Sequence, residues 1–178
     1  MNESISDIWM RAASFAAWKH RHQVRKDGKT PYIAHPFRVA MIVRDTFGCT
    51  DGEVLAAALL HDTIEDTQTD YDELHKHFGE RVAIMVATLT KNMSLPSAHR
   101  EEHYDRQLAA GPWEARLIKL ADVLDNTVDA STEALIEKSR QLRRRVLALT
   151  EGEAPLAVAR AAVIARCPSP STLAGGTT

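Results

Sequence analysis

The alternation of apolar and polar positions follows a helical period from one end of the chain to the other. Between about residues 4 and 20, Ile8, Ala12, Phe15 and Ala16 fall on one stripe, with alanine spacing that permits close packing. His35-Pro36 opens a second helix to about Phe47, proline being suited to the first helical turn. Gly48 ends it, and Asp51 can cap the next. That next helix, from about Gly52 through His61-Asp62, is apolar on nearly every side and belongs in the middle of a bundle. A short helix from Thr69 or Asp70 to Phe78 has Glu73 placed as a capping partner; Gly79 breaks it, and Val82 to Leu89 resumes the apolar pattern. Beyond a loop with Pro96, a charged helix covers about Ala98 to Ala110. Trp113 to about Ala130 carries the buried stripe Leu117, Leu120, Ala121 and Leu124. A basic helix spans Thr132 to Thr150, and Ala154 to Ala165 form the last one. No strand-like alternation, repeat or linker stands out. The pattern predicts an all-α fold in one domain over residues 1–166, with residues 167–178 a disordered tail.

One stretch of this pattern carries chemistry. Ala57-Ala58-Leu59-Leu60-His61-Asp62-Thr63-Ile64-Glu65-Asp66-Thr67 begins as a core helix and then sets an imidazole and three carboxylates close together. Taking such groups out of water is costly unless they are paired or bound to a cation. If the helix continues, His61 shares a face with Glu65, and Asp62 with Asp66. The bland alternative is a polar helix end in solvent; the position of the helix inside a bundle weakens it.

Composition narrows the function classes. With 178 residues and 19.7 kDa, 44% hydrophobic and 26% charged, the chain is long enough for a real core. A net charge of -2 and a pI near 6.4 argue against a general nucleic-acid binder. Cys49 and Cys167 are far apart and form no CxxC, which suits a reducing cytoplasm. The acidic N-terminus shows no secretory signal, and no run approaches the roughly 18 apolar residues of a membrane span.

Other candidate groups differ in what their spacing allows. His99 and His103 stand at i, i+4 but in a highly charged stretch without a zincin pattern, and read as surface residues. His20/His22 and His75/His77 are i, i+2 pairs that point apart on a helix. The loop Gln23 to Tyr32 carries Arg25, Lys26 and Lys29, either a solvated turn or a clamp for phosphate oxygens. Asp122 and Asn126 make an i, i+4 polar pair beside the buried stripe of their helix. His35, His61, Asp62 and Asp122 then look like one site. Two imidazoles and two carboxylates suit Mn²⁺, Fe²⁺ or Zn²⁺ with positions left for water and substrate. Such an ion lowers the pKa of bound water and polarises a phosphoryl oxygen, and Glu65 and Asp66 would orient or deprotonate the attacking water. No P-loop, GxGxxG or GxSxG is present.

The ordered set His35, His61-Asp62, Asp122 resembles the H…HD…D pattern of HD-domain metal-dependent phosphohydrolases. Three stretches further resemble the hydrolase domain of RelA/SpoT proteins and the stand-alone small alarmone hydrolases: Arg25 to Pro36, Ala57 to Thr67, and Lys119-Leu120-Ala121-Asp122-Val123-Leu124-Asp125-Asn126. The similarity spans about residues 8–150. It implies a helical bundle holding Mn²⁺, with a guanine nucleotide as substrate. The implied reaction removes the 3′-pyrophosphate of guanosine 3′,5′-bis(diphosphate), (p)ppGpp, giving GDP or GTP and pyrophosphate. By matching position, His35, His61, Asp62 and Asp122 would be metal ligands and Glu65 and Asp66 the water-activating pair. Asn126 would line the nucleotide site, Arg25 and Lys26 would meet base or phosphates, and Arg140, Arg143 or Arg144 would add a phosphate contact.

Two positions depart from that family, which usually has a basic residue at 123 and histidine or tyrosine at 125; here they are Val123 and Asp125. An added carboxylate facing inward at i+3 from Asp122 would repel phosphates or shift metal affinity, which bears on the substrate more than on the metal. Two other readings follow: an HD phosphohydrolase acting on another nucleotide or a phosphorylated dinucleotide, and a catalytically weak nucleotide-binding sensor.

Overall fold

A computed structural model describes residues 5–127 and 132–166. The expected tail, residues 167–178, lies outside the described residues, as does the expected end of the Trp113 helix beyond residue 127. The described residues form α-helices joined by short loops, the all-α bundle that the periodicity predicts. In chain order these are α1 (Ile5–Lys19), α2 (Ala34–Met41), α3 (Gly52–Leu60), α4 (Thr63–Asp66) and α5 (Tyr71–Phe78). They continue as α6 (Glu80–Leu89), α7 (Ser97–Ala110), α8 (Trp113–Asn126), α9 (Glu133–Leu149) and α10 (Ala157–Ala165). No described helix is long and apolar enough to cross a membrane.

α3 is the axis of the bundle. Every residue from Val54 to Leu60 is buried, and α1, α2, α6 and α8 all pack against it. Each fully buried leucine or valine there contributes about 1.5–3 kcal/mol. Its start is capped as expected: the Asp51 carboxylate accepts from the backbone N–H of Glu53 and Val54. Arg81 of α6 binds Asp51, Glu53 and, on α8, Glu114, tying three helices at this end.

Two local departures from the expected helices, and the form of one loop, shape the site. α2 does not run regularly to Phe47: after Met41 the chain widens into a π-helical turn over Ile42–Thr46, with the Phe47 N–H donating to the Ile42 carbonyl. Gly48, at φ +76, then reverses the chain. α3 stops at Leu60 instead of continuing through the cluster. His61 Nδ1 and Thr63 Oγ1 take the carbonyls of Ala58 and Leu60, and the chain restarts as the single turn α4. The loop between α1 and α2 is a small hairpin, closed by an antiparallel bridge between Val24 and Pro31 and by the Asp27 carboxylate, which accepts from Lys29 N, Thr30 N and Thr30 Oγ1. Asp70 caps α5 through the Glu73 N–H, as expected. At Gly111, between α7 and α8, a Cβ would stand 2.4 Å from Thr88 Cγ2, so only glycine lets α7 end against α6.

Candidate metal and nucleotide site

The restart of the chain after α3 decides the geometry. His61 leaves the end of the buried helix, Asp62 follows in the turn, and His35 enters from the first turn of α2. Ligand atoms of these three residues lie within 4.8 Å of one another, the one metal-competent cluster of three or more such residues among the described residues. Asp122 comes in from α8, its Oδ1 3.2 Å from His35 Nε2, and His35 Nε2 is 3.6 Å from Asp62 Oδ2. The four expected ligands therefore meet, although Asp122 is also engaged by Lys119 and by the Asn126 amide. His99 and His103 are not part of it.

Both imidazoles are oriented from behind. His61 Nδ1 is 2.8 Å from the Ala58 carbonyl, which can only accept, so the proton is on Nδ1. His35 Nδ1 is held 2.7 Å from Asp125 Oδ2. Each ring therefore turns Nε2 into the cage. His61 Nε2 is buried without a hydrogen-bond partner; Asp62 Oδ1 is 3.2 Å away but out of hydrogen-bonding alignment. A buried lone pair with no donor, facing carboxylates, fits a divalent cation.

The electrostatics agree. Burial opposes charge on His35, yet Asp122 and Asp125 push its pKa up to about 9. Burial likewise opposes charge on His61, and Asp62 raises it. Against their own burial, Asp62 is held down chiefly by His61, and Asp122 by Lys119 and the two histidines. The carboxylates thus demand positive charge in the cage, from imidazole protons or from a metal ion.

A cleft of about 180 Å³, partly open to solvent, adjoins the cage. It is lined by the four candidate ligands and by Arg25, Tyr32, Glu65, Asp66, Lys91, Tyr104, Lys119, Asn126 and Leu142, among others. Glu65 accepts from the Lys91 backbone N–H, and burial pushes its carboxyl above the ordinary range. The Tyr32 hydroxyl lies 2.7 Å from both Asp62 Oδ2 and Asp66 Oδ2, so its one proton links cage and acidic pair. Arg25 donates to Asn126 Oδ1 at 3.0 Å and lies over the Tyr32 ring. Lys91 and Lys119 both lie over the ring of Tyr104, 5.3 and 5.4 Å from its centroid.

A family model described as HD domain matches residues 12–150. The chain belongs to the HD-domain family. Its HD dipeptide is His61-Asp62, the pair at the broken end of α3. Among curated HD-domain relatives, it is 45% identical over 130 residues to guanosine-3′,5′-bis(diphosphate) 3′-pyrophosphohydrolase MESH1 of Danio rerio, covering 72% of each chain. It is 48% identical over 121 residues to the Homo sapiens protein of the same name, covering 67% of this chain and 68% of that one. A solved structure, described as a metazoan ortholog of SpoT that hydrolyzes ppGpp and plays a role in starvation responses, superposes with a TM-score of 0.78 at 32% identity, over 90% of this chain and 96% of the other.

Within this HD-domain site, Arg25 and Asn126 line the cleft, whereas Lys26, Arg140 and Arg144 do not. Lys26 is exposed on the hairpin, Arg140 pairs with Glu137 on the surface of α9 at 3.7 Å, and Arg144 is exposed. α9 offers the cleft Leu142 instead, and Arg145 is drawn to Glu101 and Asp105 of α7. Val123 is buried in the core, and Asp125 faces His35 and Arg38 rather than the cleft. Sequence reasoning gave no role to Tyr32, Lys91, Lys119 or Arg38. Tyr32 and Lys119 stand inside the stretches that carry the family resemblance, but only the folded chain turns them toward the cage.

Proposed function

We propose that this chain is a Mn²⁺-dependent hydrolase that removes the 3′-pyrophosphate from guanosine 3′,5′-bis(diphosphate). The observation that carries the reading is the buried cage in which two back-tethered imidazoles aim Nε2 at Asp62 and Asp122, beside a cleft that mixes acidic and cationic groups. The likeness to curated pyrophosphohydrolases that cover most of the chain supplies the substrate class.

His35, His61, Asp62 and Asp122 would hold the ion, which when bound lowers the pKa of a water and polarises a phosphoryl oxygen. Mn²⁺ is the ion assigned, and the same mixed donor set would accept Fe²⁺ or Zn²⁺. Glu65, with its carboxyl raised by burial, takes the proton of the attacking water, and Asp66, held by Tyr32, orients it. Water oxygen bonds to the phosphorus attached to the 3′ oxygen as the P–O3′ bond breaks; O3′ leaves with the bonding pair and takes up the proton that Glu65 releases, giving the 3′-hydroxyl of the nucleotide and free pyrophosphate. Arg25 and Asn126 hold the nucleotide, and Lys91 and Lys119 offset phosphate charge. Neither Val123 nor Asp125 lines the cleft, so the two departures from the family pattern give no support to a different nucleotide.

The test is to incubate the purified protein with MnCl₂ and ppGpp and follow pyrophosphate and orthophosphate separately. Pyrophosphate with GDP is expected. Orthophosphate from another nucleotide, with ppGpp untouched, would overturn the substrate assignment.

A further inference from the structure

Asp125 lies one turn beyond Asp122 on α8 and is only 2% exposed. Its Oδ2 is 2.7 Å from His35 Nδ1. Arg38, one turn beyond His35 on α2, donates from Nε to Oδ1 at 2.6 Å and from Nη2 to Oδ2 at 2.9 Å. A buried carboxylate facing a metal cage would normally compete for the ion or repel an anionic substrate. Here both oxygens are occupied from the side away from the cleft.

We propose that Asp125 is the positioning residue of His35, and that the Arg38 fork holds Asp125 in place. The carboxylate accepts the Nδ1 proton and so leaves the Nε2 lone pair facing Asp62 and Asp122. A carboxylate acceptor makes the imidazole a stronger donor than a carbonyl does, so His35 is the stronger of the two nitrogen ligands and His61, backed by Ala58, the weaker. The bidentate guanidinium matches the carboxylate geometry and compensates the buried charge. Because His35 and Arg38 share α2 while Asp125 sits at the end of α8, the triad also fixes the distance between the two helices that bring His35 and Asp122 together. The inference rests on the reading of the cage as a metal site.

Calorimetric titration of the metal-stripped chain with Mn²⁺ tests it. Wild type should bind, and His35→Gln should lose that binding. Asp125→Leu should weaken it by about 10–100-fold, and Asp125→Asn, which keeps an acceptor without the charge, by less. Arg81→Gln, which breaks a multi-carboxylate ion network at the opposite end of α3, should stay within about twofold of wild type. In the Zn²⁺-loaded chain, the His35 Nδ1 proton should resonate far downfield and move upfield in Asp125→Asn. Wild-type Mn²⁺ affinity in folded Asp125→Leu, or an unmoved Nδ1 proton in Asp125→Asn, overturns the proposal. Equal loss in Arg81→Gln overturns it too, since the effect would then be general destabilisation. Should Asp125→Leu not fold, Asp125→Asn decides alone by its affinity and its proton resonance. A wild-type chain that takes up no Mn²⁺ at His35 refutes the metal reading itself, an outcome distinct from these.

Discussion

Replacing Lys119 with methionine separates what the protein does for Asp122 from what a metal ion does. The Lys119 ammonium lies 2.7 Å from Asp122 Oδ2, with 12% and 7% of the two side chains exposed. Burial opposes its charge, but Asp122 keeps it protonated. Methionine keeps most of the packing volume and removes only the cation. Breaking one partner of a buried pair costs about 3–5 kcal/mol, because the remaining charge is left uncompensated. The Asn126 amide still donates to Asp122, so the lower end, about 3 kcal/mol, is expected. In a chain of this size each kcal/mol moves Tm by about 2–4 °C, which puts the loss at about 6–12 °C. Scanning calorimetry of wild type and Lys119→Met, each in EDTA and in saturating MnCl₂, reads this directly. The full loss should appear in EDTA and narrow in Mn²⁺, since a cation in the cage supplies the charge that Asp122 lacks. An unchanged Tm in EDTA would refute the ion-pair argument. A loss of the same size with and without Mn²⁺ would place Asp122 outside the cage.

Four further outcomes follow from the same geometry. Asp62→Ala should lose Mn²⁺ binding and pyrophosphate release together, whereas Glu65→Ala should keep the metal and lose turnover; metal loss in the latter would make Glu65 a ligand. Tyr32→Phe removes the hydroxyl shared by Asp62 and Asp66 and should lower kcat/KM by about tenfold, the worth of roughly one hydrogen bond, with little change in Tm; an unchanged rate would mean the bond idles. Arg25→Ala should raise KM for ppGpp far more than Lys26→Ala, measured by initial-rate kinetics, and equal effects would show that Lys26 reaches the cleft after all. Glu101 bridges Lys91 and Arg145; partial burial opposes its charge, yet the two cations lower its pKa from the ordinary 4.5 to about 2. A depressed carboxyl stabilises the fold above the unfolded pKa and loses that contribution as pH falls toward the folded one. The stability gap between wild type and Glu101→Gln, about 1 kcal/mol at most for so exposed a group, should therefore hold at neutral pH and shrink below about pH 4.5. Urea titrations across that range would show it, and a pH-independent gap would rule it out.

Much of this was legible in the residue order because it is local. The buried α3, the Asp51 and Asp70 caps and the punctuation at Gly48 and Gly79 depend on spacing and on a few side chains acting on their own backbone. The meeting of His35, His61, Asp62 and Asp122 was legible for a different reason: buried imidazoles and carboxylates are too costly to leave unpaired, and three ordered stretches resemble a known family. What the order did not show is where a side chain turns when two helices can both receive it. Asp125, three residues after Asp122, could face the cleft or solvent by helical spacing alone, and it faces neither but His35 and Arg38 from another helix. Arg140, Arg143 and Arg144 of α9 looked equally available for phosphate; none of them lines the cleft, which receives Leu142 from that helix. The break at His61-Asp62 was likewise hidden, since an apolar helix running into polar residues does not announce that two side chains will capture its last carbonyls.

The sequence by itself therefore determined the helices, the buried axis and which imidazoles and carboxylates had to find partners out of water, because period, capping and desolvation act through neighbours along the chain. Only the tertiary structure decided which nitrogen of each histidine faces the cage, which cations reach the cleft and which carboxylate serves as a support. Those outcomes depend on contacts between α2, α3, α7, α8 and α9, and a charge settles on the nearest partner that folding delivers, not on the one that spacing alone would allow.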